Sequence, residues 1–289
     1  MNVLVLGATG MLGHAVFQLL SERLDWVVHG TVRNADVKKL FPVELSGNLV
    51  LCKDLKSHAE LTGIFNQLKP DIVINCISIA KELLASVDTL NFIQNYSLFP
   101  QHLSWLCKES NARLVQISSD GVFSGKEGAY VEGDFPDAED IYGISKLLGE
   151  VYCANAITIR TSIIGHELES KSGLLEWFLA QKNSCNCFTR AIFSGLPTVV
   201  LAQVIRDIII PSADLSGLYH IASKPISKFE LLSLVARRYN KNIRILADDR
   251  QAPDRSLSAE KFERDTGYVA PEWPELIDTM YSYQLSWGQ

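Results

Sequence analysis

The sequence predicts an α/β protein: a doubly wound parallel sheet with a smaller C-terminal lobe that interleaves with it. Three observations carry this reading. Short apolar runs alternate with amphipathic helical patterns through residues 1–160, the order expected of parallel strands joined by crossover helices. The runs are apolar throughout, as in strands covered on both faces. A glycine-rich turn, Gly7-Ala-Thr-Gly10-Met-Leu-Gly13, lies where the first run gives way to the first helix.

Val3–Leu6 is the first strand and Met11–Glu22 the first helix. Strands follow at Trp26–Val32, Leu49–Cys52, Ile72–Cys76, Arg113–Ile117 and Ile157–Ile159. Helices lie between them at Ala59–Gln67, Leu90–Glu109 and Tyr142–Cys153. Lys69-Pro70-Asp71 marks a helix exit before the fourth strand, because proline drives its predecessor out of the helical region. Past Arg160 the pattern loosens. Gly173–Gln181 is helical, Lys182 to Thr189 is a polar stretch, and Thr198–Ile210 is a strongly apolar helix. Gly217–Ile221 is a strand, and Ser227–Tyr239 is a helix with Ser227 as N-cap and Glu230 in the capping-box position. Arg250–Asp254 is a loop, and Ser258–Gly267 and Trp273–Tyr283 are closing helices. The expected division is a sheet domain over 1–160, with 190–225 returning to it, and a lobe made of 161–189 and 226–289.

Net charge is −6 with no dense Lys/Arg run, which excludes nucleic acid as an expected partner. No apolar stretch approaches a membrane span. The opening Met1-Asn2-Val3-Leu4-Val5-Leu6 reads as a strand and lacks the charged n-region of a signal peptide. The six cysteines are scattered, mostly within apolar segments, and read as reduced, buried thiols of a cytoplasmic protein. Cys185-Asn-Cys187 lacks the spacer and the second pair that zinc needs, and the histidines show no ligand spacing, so no metal is expected.

The glycine turn follows a strand and opens a helix, the context in which such a motif binds a dinucleotide. Gly7 allows the tight turn, Gly10 admits a pyrophosphate, and Gly13 lets helix and strand approach. The free N–H groups at Thr9, Met11, Leu12 and Gly13 then face the phosphates. The second strand ends in Thr31-Val32-Arg33-Asn34, with a guanidinium where NAD-selective folds carry a carboxylate. Arg33 reads as a partner of a 2′-phosphate, so NADPH is the expected cofactor and NADH the alternative. Asp54 and Leu55, after the third strand, would edge the adenine. Cys76, Ile77 and Ser78, after the fourth, would line the ribose path.

Ser118-Ser119-Asp120 ends the fifth strand on the same edge. A Ser119 hydroxyl there can hold a carbonyl oxygen as it gains charge. Tyr142 and Lys146 stand four residues apart on one helix face. Tyr142 is the expected proton donor, with Lys146 lowering the phenol pKa and holding the nicotinamide ribose. Trp177 reads either as core or as the wall of a sugar pocket, and Asn95 as the holder of a water or a carbonyl.

With these residues in place, the chain resembles an extended short-chain dehydrogenase/reductase of the Rossmann fold. More narrowly it resembles the dTDP-4-dehydrorhamnose reductase family, which reduces the 4-keto group of nucleotide-linked deoxysugars. The resemblance runs through Gly7–Gly13, Ser118-Ser119-Asp120-Gly121-Val122-Phe123-Ser124-Gly125, Tyr130-Val-Glu132 and Tyr142-Gly-Ile-Ser-Lys146-Leu-Leu-Gly-Glu150. It continues through Arg160-Thr161-Ser162, Gly195-Leu-Pro-Thr198 and Asp254-Arg255-Ser-Leu257. It implies catalysis by Ser119, Tyr142 and Lys146, hydride from NADPH or NADH, and a nucleotide-diphosphate sugar held by the C-terminal lobe, with Lys81, Ser119, Asp120, Gly121, Trp177 and Arg255 at the substrate. Ser119 stands where the family usually has Thr. Gly121 replaces a common aromatic and is expected to reshape the sugar pocket. The loop Ser78-Ile-Ala-Lys81-Glu82 also departs from the family, with Lys81 a candidate for a diphosphate or a sugar substituent. The substrate stays open between a dTDP-linked 4-keto-6-deoxyhexose and its UDP-linked 2-acetamido counterpart, for surface polysaccharide. The alternatives are an epimerase or dehydratase of the same fold, or a non-catalytic regulatory subunit like the branch that serves a methionine adenosyltransferase. A homodimer is one assembly the sequence allows.

Overall fold

The computed structural model describes residues 1–78, 89–169, 171–250 and 252–287. In chain order its elements are β1 (Asn2–Leu6), α1 (Met11–Ser21), β2 (Val27–Val32), α2 (Val43–Ser46), β3 (Leu49–Leu51), α3 (His58–Leu68), β4 (Ile72–Asn75), α4 (Thr89–Phe92), α5 (Phe99–Glu109), β5 (Arg113–Ile117), α6 (Ile141–Leu148) and β6 (Ala156–Arg160). Then come β7 (Ile163–Ile164), α7 (Leu174–Ala180), β8 (Ser184–Phe188), β9 (Ile192–Phe193), β10 (Leu196–Pro197), α8 (Thr198–Val204), β11 (Gly217–His220), β12 (Ile226–Ser227), α9 (Lys228–Arg238), β13 (Arg244–Asp248), α10 (Glu260–Thr266) and α11 (Trp273–Trp287).

Seven strands form one sheet in the order β11-β6-β5-β4-β1-β2-β3, and every pairing in it is parallel. The chain winds outward from β1 in one direction and from β4 in the other. The crevice between these two strands is therefore the topological switch point where such sheets bind ligands. Alternation along β1 divides the core. Val3 and Val5 face the cluster that includes α1, α8, α9 and α11, while Leu4 and Leu6 face α3 and α5. Residues 217–220 form the edge strand beside β6, and α8 packs on α1.

Three local expectations change. The helix expected over Tyr142–Cys153 stops at Leu148. Gly149 packs so tightly on the Tyr96 carbonyl that a Cβ would stand 1.7 Å from it, and Val151 bonds sideways through both its N–H and its C=O to the Thr158 hydroxyl on β6. The helix expected over Leu90–Glu109 widens to a π-turn at Ile93–Leu98 between α4 and α5. Pro100 has no N–H to give the Tyr96 carbonyl, which removes one α-helical bond there. The polar stretch Lys182–Thr189 contains β8, paired in parallel with an unforeseen β13. Its residues alternate exposed and buried, with Cys185 and Cys187 inward. The capping box at Ser227 and Glu230 forms as expected. All six cysteines are free thiols and five are buried.

Candidate active site

The turn after β1 is shaped by what its glycines lack. Gly7 has φ +78°, in the left-handed region. A Cβ on Gly13 would stand 2.0 Å from the Gly7 carbonyl oxygen, so any side chain there would force α1 off the strand. The Gly7 N–H donates to Thr31 Oγ1 at 3.0 Å and the Ala8 N–H to the Thr31 carbonyl at 3.1 Å, which ties the turn to β2. Gly10 precedes α1, no side chain caps that end, and no acidic residue lies in its first turn. The first amides of α1, at Met11, Leu12 and Gly13, are thus left to a ligand of negative charge. Beside the turn lies a cavity of about 450 Å³ lined by Thr9, Arg33, Asn34, Asp36, Lys39 and Glu169, with Val37 at its wall. The close-packed glycines and adjacent cations suit a dinucleotide diphosphate. Arg33 does sit at the end of β2, and two carboxylates, Asp36 and Glu169, share its cavity.

The other expected cofactor residues divide. Ile77 covers the turn, with its Cγ1 3.3 Å from where a Gly7 Cβ would be. Ser78 Oγ lies 3.3 Å from the Tyr96 hydroxyl. Cys76 is buried, its amide bonds to Leu6, and burial pushes its thiol up to about 12. Asp54 is exposed, and its carboxylate accepts the Lys56 amide at 3.0 Å, so it organises its own loop. Leu55 leans on the α3 side of the core. Lys81 lies outside the described residues.

Ser119 follows β5 and starts a short 3₁₀ turn over Asp120–Val122, accepting the Gly121 N–H at 3.0 Å and donating to Asp120 Oδ1 at 3.1 Å. Asp140 caps α6 by accepting the Gly143 N–H at 2.7 Å. The helix then rests on the 3₁₀ turn: a Cβ on Gly143 would come within 2.2 Å of the Gly121 carbonyl oxygen, and a Cβ on Gly121 within 2.8 Å of Tyr142 Cε1. This contact brings Tyr142 to Ser119, to which it hydrogen-bonds. The Tyr142 ring stands edge-on to Tyr96 at 5.5 Å. Lys146 is buried one turn on, donates to the Ile117 carbonyl at 2.8 Å and lies 5.1 Å from the Tyr96 ring centroid. The three side chains expected to act together therefore converge at the carboxyl end of β5.

The electrostatics run opposite to one expectation. Burial pushes the Tyr142 phenol well above its usual range. The Ser119 hydrogen bond pulls it back only in part, and Tyr96, Asp120 and Asp140 push it further up. Burial also pushes the Lys146 amine down to about 8, against the pull of Glu150 and Cys76. Burial thus outweighs the other influences on the phenol, and the Lys146 amine donates to the Ile117 carbonyl.

Of the residues expected at the substrate, Ser119, Asp120 and Gly121 share the 3₁₀ turn. The space beside Gly121 is bordered by the Tyr142 ring and the Ser119 hydroxyl. Arg255 Nη2 lies 3.6 Å from Asp140 Oδ2, at the mouth of the helix that carries Tyr142. Trp177 is exposed on α7, and no ring contact or hydrogen bond of its side chain among the described residues ties it to Tyr142. Asn95 donates to the Asn91 carbonyl at 2.7 Å.

Sequence reasoning gave no role to the layer beneath. Ser118 Oγ donates to Glu150 Oε1 at 2.8 Å, and Glu150 holds Arg160 at 2.7 Å with both side chains almost fully buried. Arg160 also packs 5.1 Å over the Phe123 ring, which stacks on Tyr130 at 4.1 Å. The available signal was a charge at the end of an apolar strand, at Arg160, which needs a buried partner.

Among the described residues no group of three or more potential ligands could hold a metal, and no helix is long and apolar enough to cross a membrane.

A sequence model described as the RmlD substrate binding domain matches residues 1–285. The chain is 28% identical over 253 residues to methionine adenosyltransferase 2 subunit beta of Danio rerio, spanning 83% of this chain and 74% of that one. It is 26% identical over 243 residues to the probable low-salt glycan biosynthesis reductase Agl14 of Haloferax volcanii, spanning 78% and 75%. The dTDP-4-dehydrorhamnose reductase of Bacillus anthracis, solved in complex with NADP, has a TM-score of 0.78 at 19% identity and covers 98% of this chain and 99% of its own. With its whole sheet and the Ser119, Tyr142 and Lys146 cluster inside the matched span, the chain belongs to the RmlD substrate binding domain family.

Proposed function

We propose that this protein is a nicotinamide-dependent reductase of the 4-keto group of a nucleotide-linked 4-keto-6-deoxysugar. The observation that carries the reading is the convergence of Ser119, Tyr142 and Lys146 at the carboxyl end of β5, two strands from the glycine turn. A bound reduced nicotinamide would supply the hydride to the carbonyl carbon. Gly7, Thr9, Gly10, Met11, Leu12 and Gly13 would hold its diphosphate, and Arg33 favours NADPH.

Ser119 receives the ketone oxygen and stabilises it as it gains negative charge. Tyr142 gives that oxygen its proton. A phenol whose pKa is pushed up by burial keeps its proton until the alkoxide forms, and the alkoxide is far the stronger base. Lys146 anchors to the Ile117 carbonyl and keeps the strand end and the helix face in register. Asp120 and Arg255 flank the same mouth and are assigned to the sugar or its diphosphate. We assign residues 161–189 and 226–289 to the substrate lobe. Trp177, on α7 in that lobe, is assigned to its outer wall. The glycan biosynthesis named for the Agl14 relative supports a polysaccharide role.

A second reading is favoured by the subunit beta relative, whose printed name is that of a subunit. On that reading the chain binds the dinucleotide and a partner without turnover. The test is loss of reduced-nicotinamide absorbance with dTDP- and UDP-linked 4-keto-6-deoxysugars made in situ by dehydratases. Consumption with one nucleotide establishes the reductase and names its substrate. No consumption by folded protein that binds the dinucleotide would sink it in favour of the subunit.

A further inference from the structure

The cavity beside the glycine turn has a charge pattern that Arg33 alone does not explain. Its walls come from three places: Thr9 of the turn, Arg33 and Asn34 at the end of β2 with the 3₁₀ segment Ala35–Leu40, and Glu169 from the loop between β7 and α7. Arg33 and Lys39 are both exposed, and neither forms an ion pair among the described residues. Arg206, by contrast, pairs with Glu22 and Asp207. These two cations line one cavity at the carboxyl end of β2 with Asp36 of the same segment between them in sequence, and together they suit a doubly charged group that a single exposed charge would hold weakly.

Glu169 brings an opposing charge from a distant part of the chain. Its loop is clamped at its far end, where Glu167 Oε2 accepts the amides of Ser172 and Gly173 at 2.9 and 2.7 Å. Gly173 is pressed against the first residue of α1, with a Cβ there only 2.4 Å from Met11 Cε. Glu169, two residues from Glu167, lines this cavity. Residues grouped by sequence with the substrate lobe thus reach the far end of the dinucleotide crevice.

We propose that Lys39 is a second cationic partner of the adenosine-ribose 2′-phosphate and that Glu169 opposes it, so that these two residues set the preference between NADPH and NADH. The inference rests on the dinucleotide reading above. It assigns to the loop carboxylate a discriminating role: it repels a 2′-phosphate and can accept from a 2′-hydroxyl.

The test is direct binding of NADPH and NADH to the full-length protein, by titration calorimetry at low and moderate salt, for wild type, Lys39→Ala and Glu169→Gln. Lys39→Ala is expected to weaken NADPH by about 5- to 20-fold and NADH by less than about 2-fold, with a shallower salt dependence for NADPH. Glu169→Gln is expected to tighten NADPH by about 3- to 10-fold without tightening NADH. Equal effects on the two cofactors, or none on either, would overturn the assignment while leaving the dinucleotide site standing. Failure of the wild-type protein to bind either one would overturn the dinucleotide reading and this inference with it.

Discussion

Gly121→Ala isolates the contact that brings Tyr142, the proposed proton donor, to Ser119, the proposed holder of the ketone oxygen. The added methyl would lie 2.8 Å from Tyr142 Cε1 and 3.2 Å from Ser119 Oγ. Carbon atoms rest at about 3.5–4.0 Å, so the ring must retreat by roughly 0.7 Å or more. Gly121 has no positive φ, so alanine suffers no backbone strain and the effect is one of contact alone. The ring also meets Tyr96 edge-on at 5.5 Å, and any retreat from the methyl alters its contact with Ser119. A misplacement of about 1 Å costs about 100-fold in a positioned reaction. A shift of this size should therefore lower kcat by roughly 10- to 50-fold, with the sugar KM within about 2-fold. Overpacking should also lower stability by about 1–3 kcal/mol. The assay is steady-state kinetics beside thermal unfolding, with Gly133→Ala as control, since a Cβ there meets nothing within 4 Å. A folded Gly121→Ala protein with wild-type kcat would refute the argument that this packing positions Tyr142.

Tyr142→Phe should lower turnover by about 100-fold or more, with nucleotide-sugar binding by calorimetry near wild type. Unchanged turnover would remove the phenol from the mechanism. Lys146 is an ammonium below about 8, so if its charge holds the site together, kcat should fall as pH rises through that value. A flat profile to pH about 10 would separate Lys146 from catalysis. Burial pushes both His14 and His220 down to about 4. The unfolded chain then binds more protons than the folded one between about pH 6.5 and 4, so stability rises with pH across that window and is lost on acidification. His14→Gln should flatten part of that slope in urea unfolding followed from pH 7 to 4, and an unaltered slope would mean that His14 protonates within the native fold.

The parts of the fold legible in the sequence are those specified over a few neighbouring residues. Gly13 is demanded by a carbonyl six residues earlier, so the glycine turn reads locally. Tyr142 and Lys146 share a helix face, and Ser227 with Glu230 closes a box within one turn. Pairings distant in the chain did not read. β8 is five residues of Ser-Cys-Asn-Cys-Phe whose partner is β13, and nothing in the polar segment itself announces an edge pair. The rise of the Tyr142 pKa also escaped. A Tyr and a Lys at that spacing suggest mutual influence, but burial is a property of the assembled layers and acts more strongly on both groups than they act on each other.

The buried pair beneath the site shows why a recognisable motif can be read without its reason. Glu150 and Arg160 stood out in the sequence only as parts of a familiar string. In the structure they lie just past the end of α6, where Gly149 is packed on the Tyr96 carbonyl. Glu150 must turn inward to meet Arg160 Nε and Nη2 at 2.7 and 2.8 Å, because an unpaired buried guanidinium would cost about 3–5 kcal/mol. A helix continuing past Leu148 would carry that carboxylate along the helix face and away from β6. The same carboxylate accepts the Ser118 hydroxyl, next to Ser119 and next to Ile117, whose carbonyl takes the Lys146 ammonium. This carboxylate thus ties the segment after α6 to the ends of β5 and β6, and replacing Glu150 should loosen both strand ends together. The spacing of Tyr142 and Lys146 only aligns two side chains on one face, and what they meet comes from other elements: Ser119 and Gly121 for Tyr142, the Ile117 carbonyl beside the Glu150-bound Ser118 for Lys146.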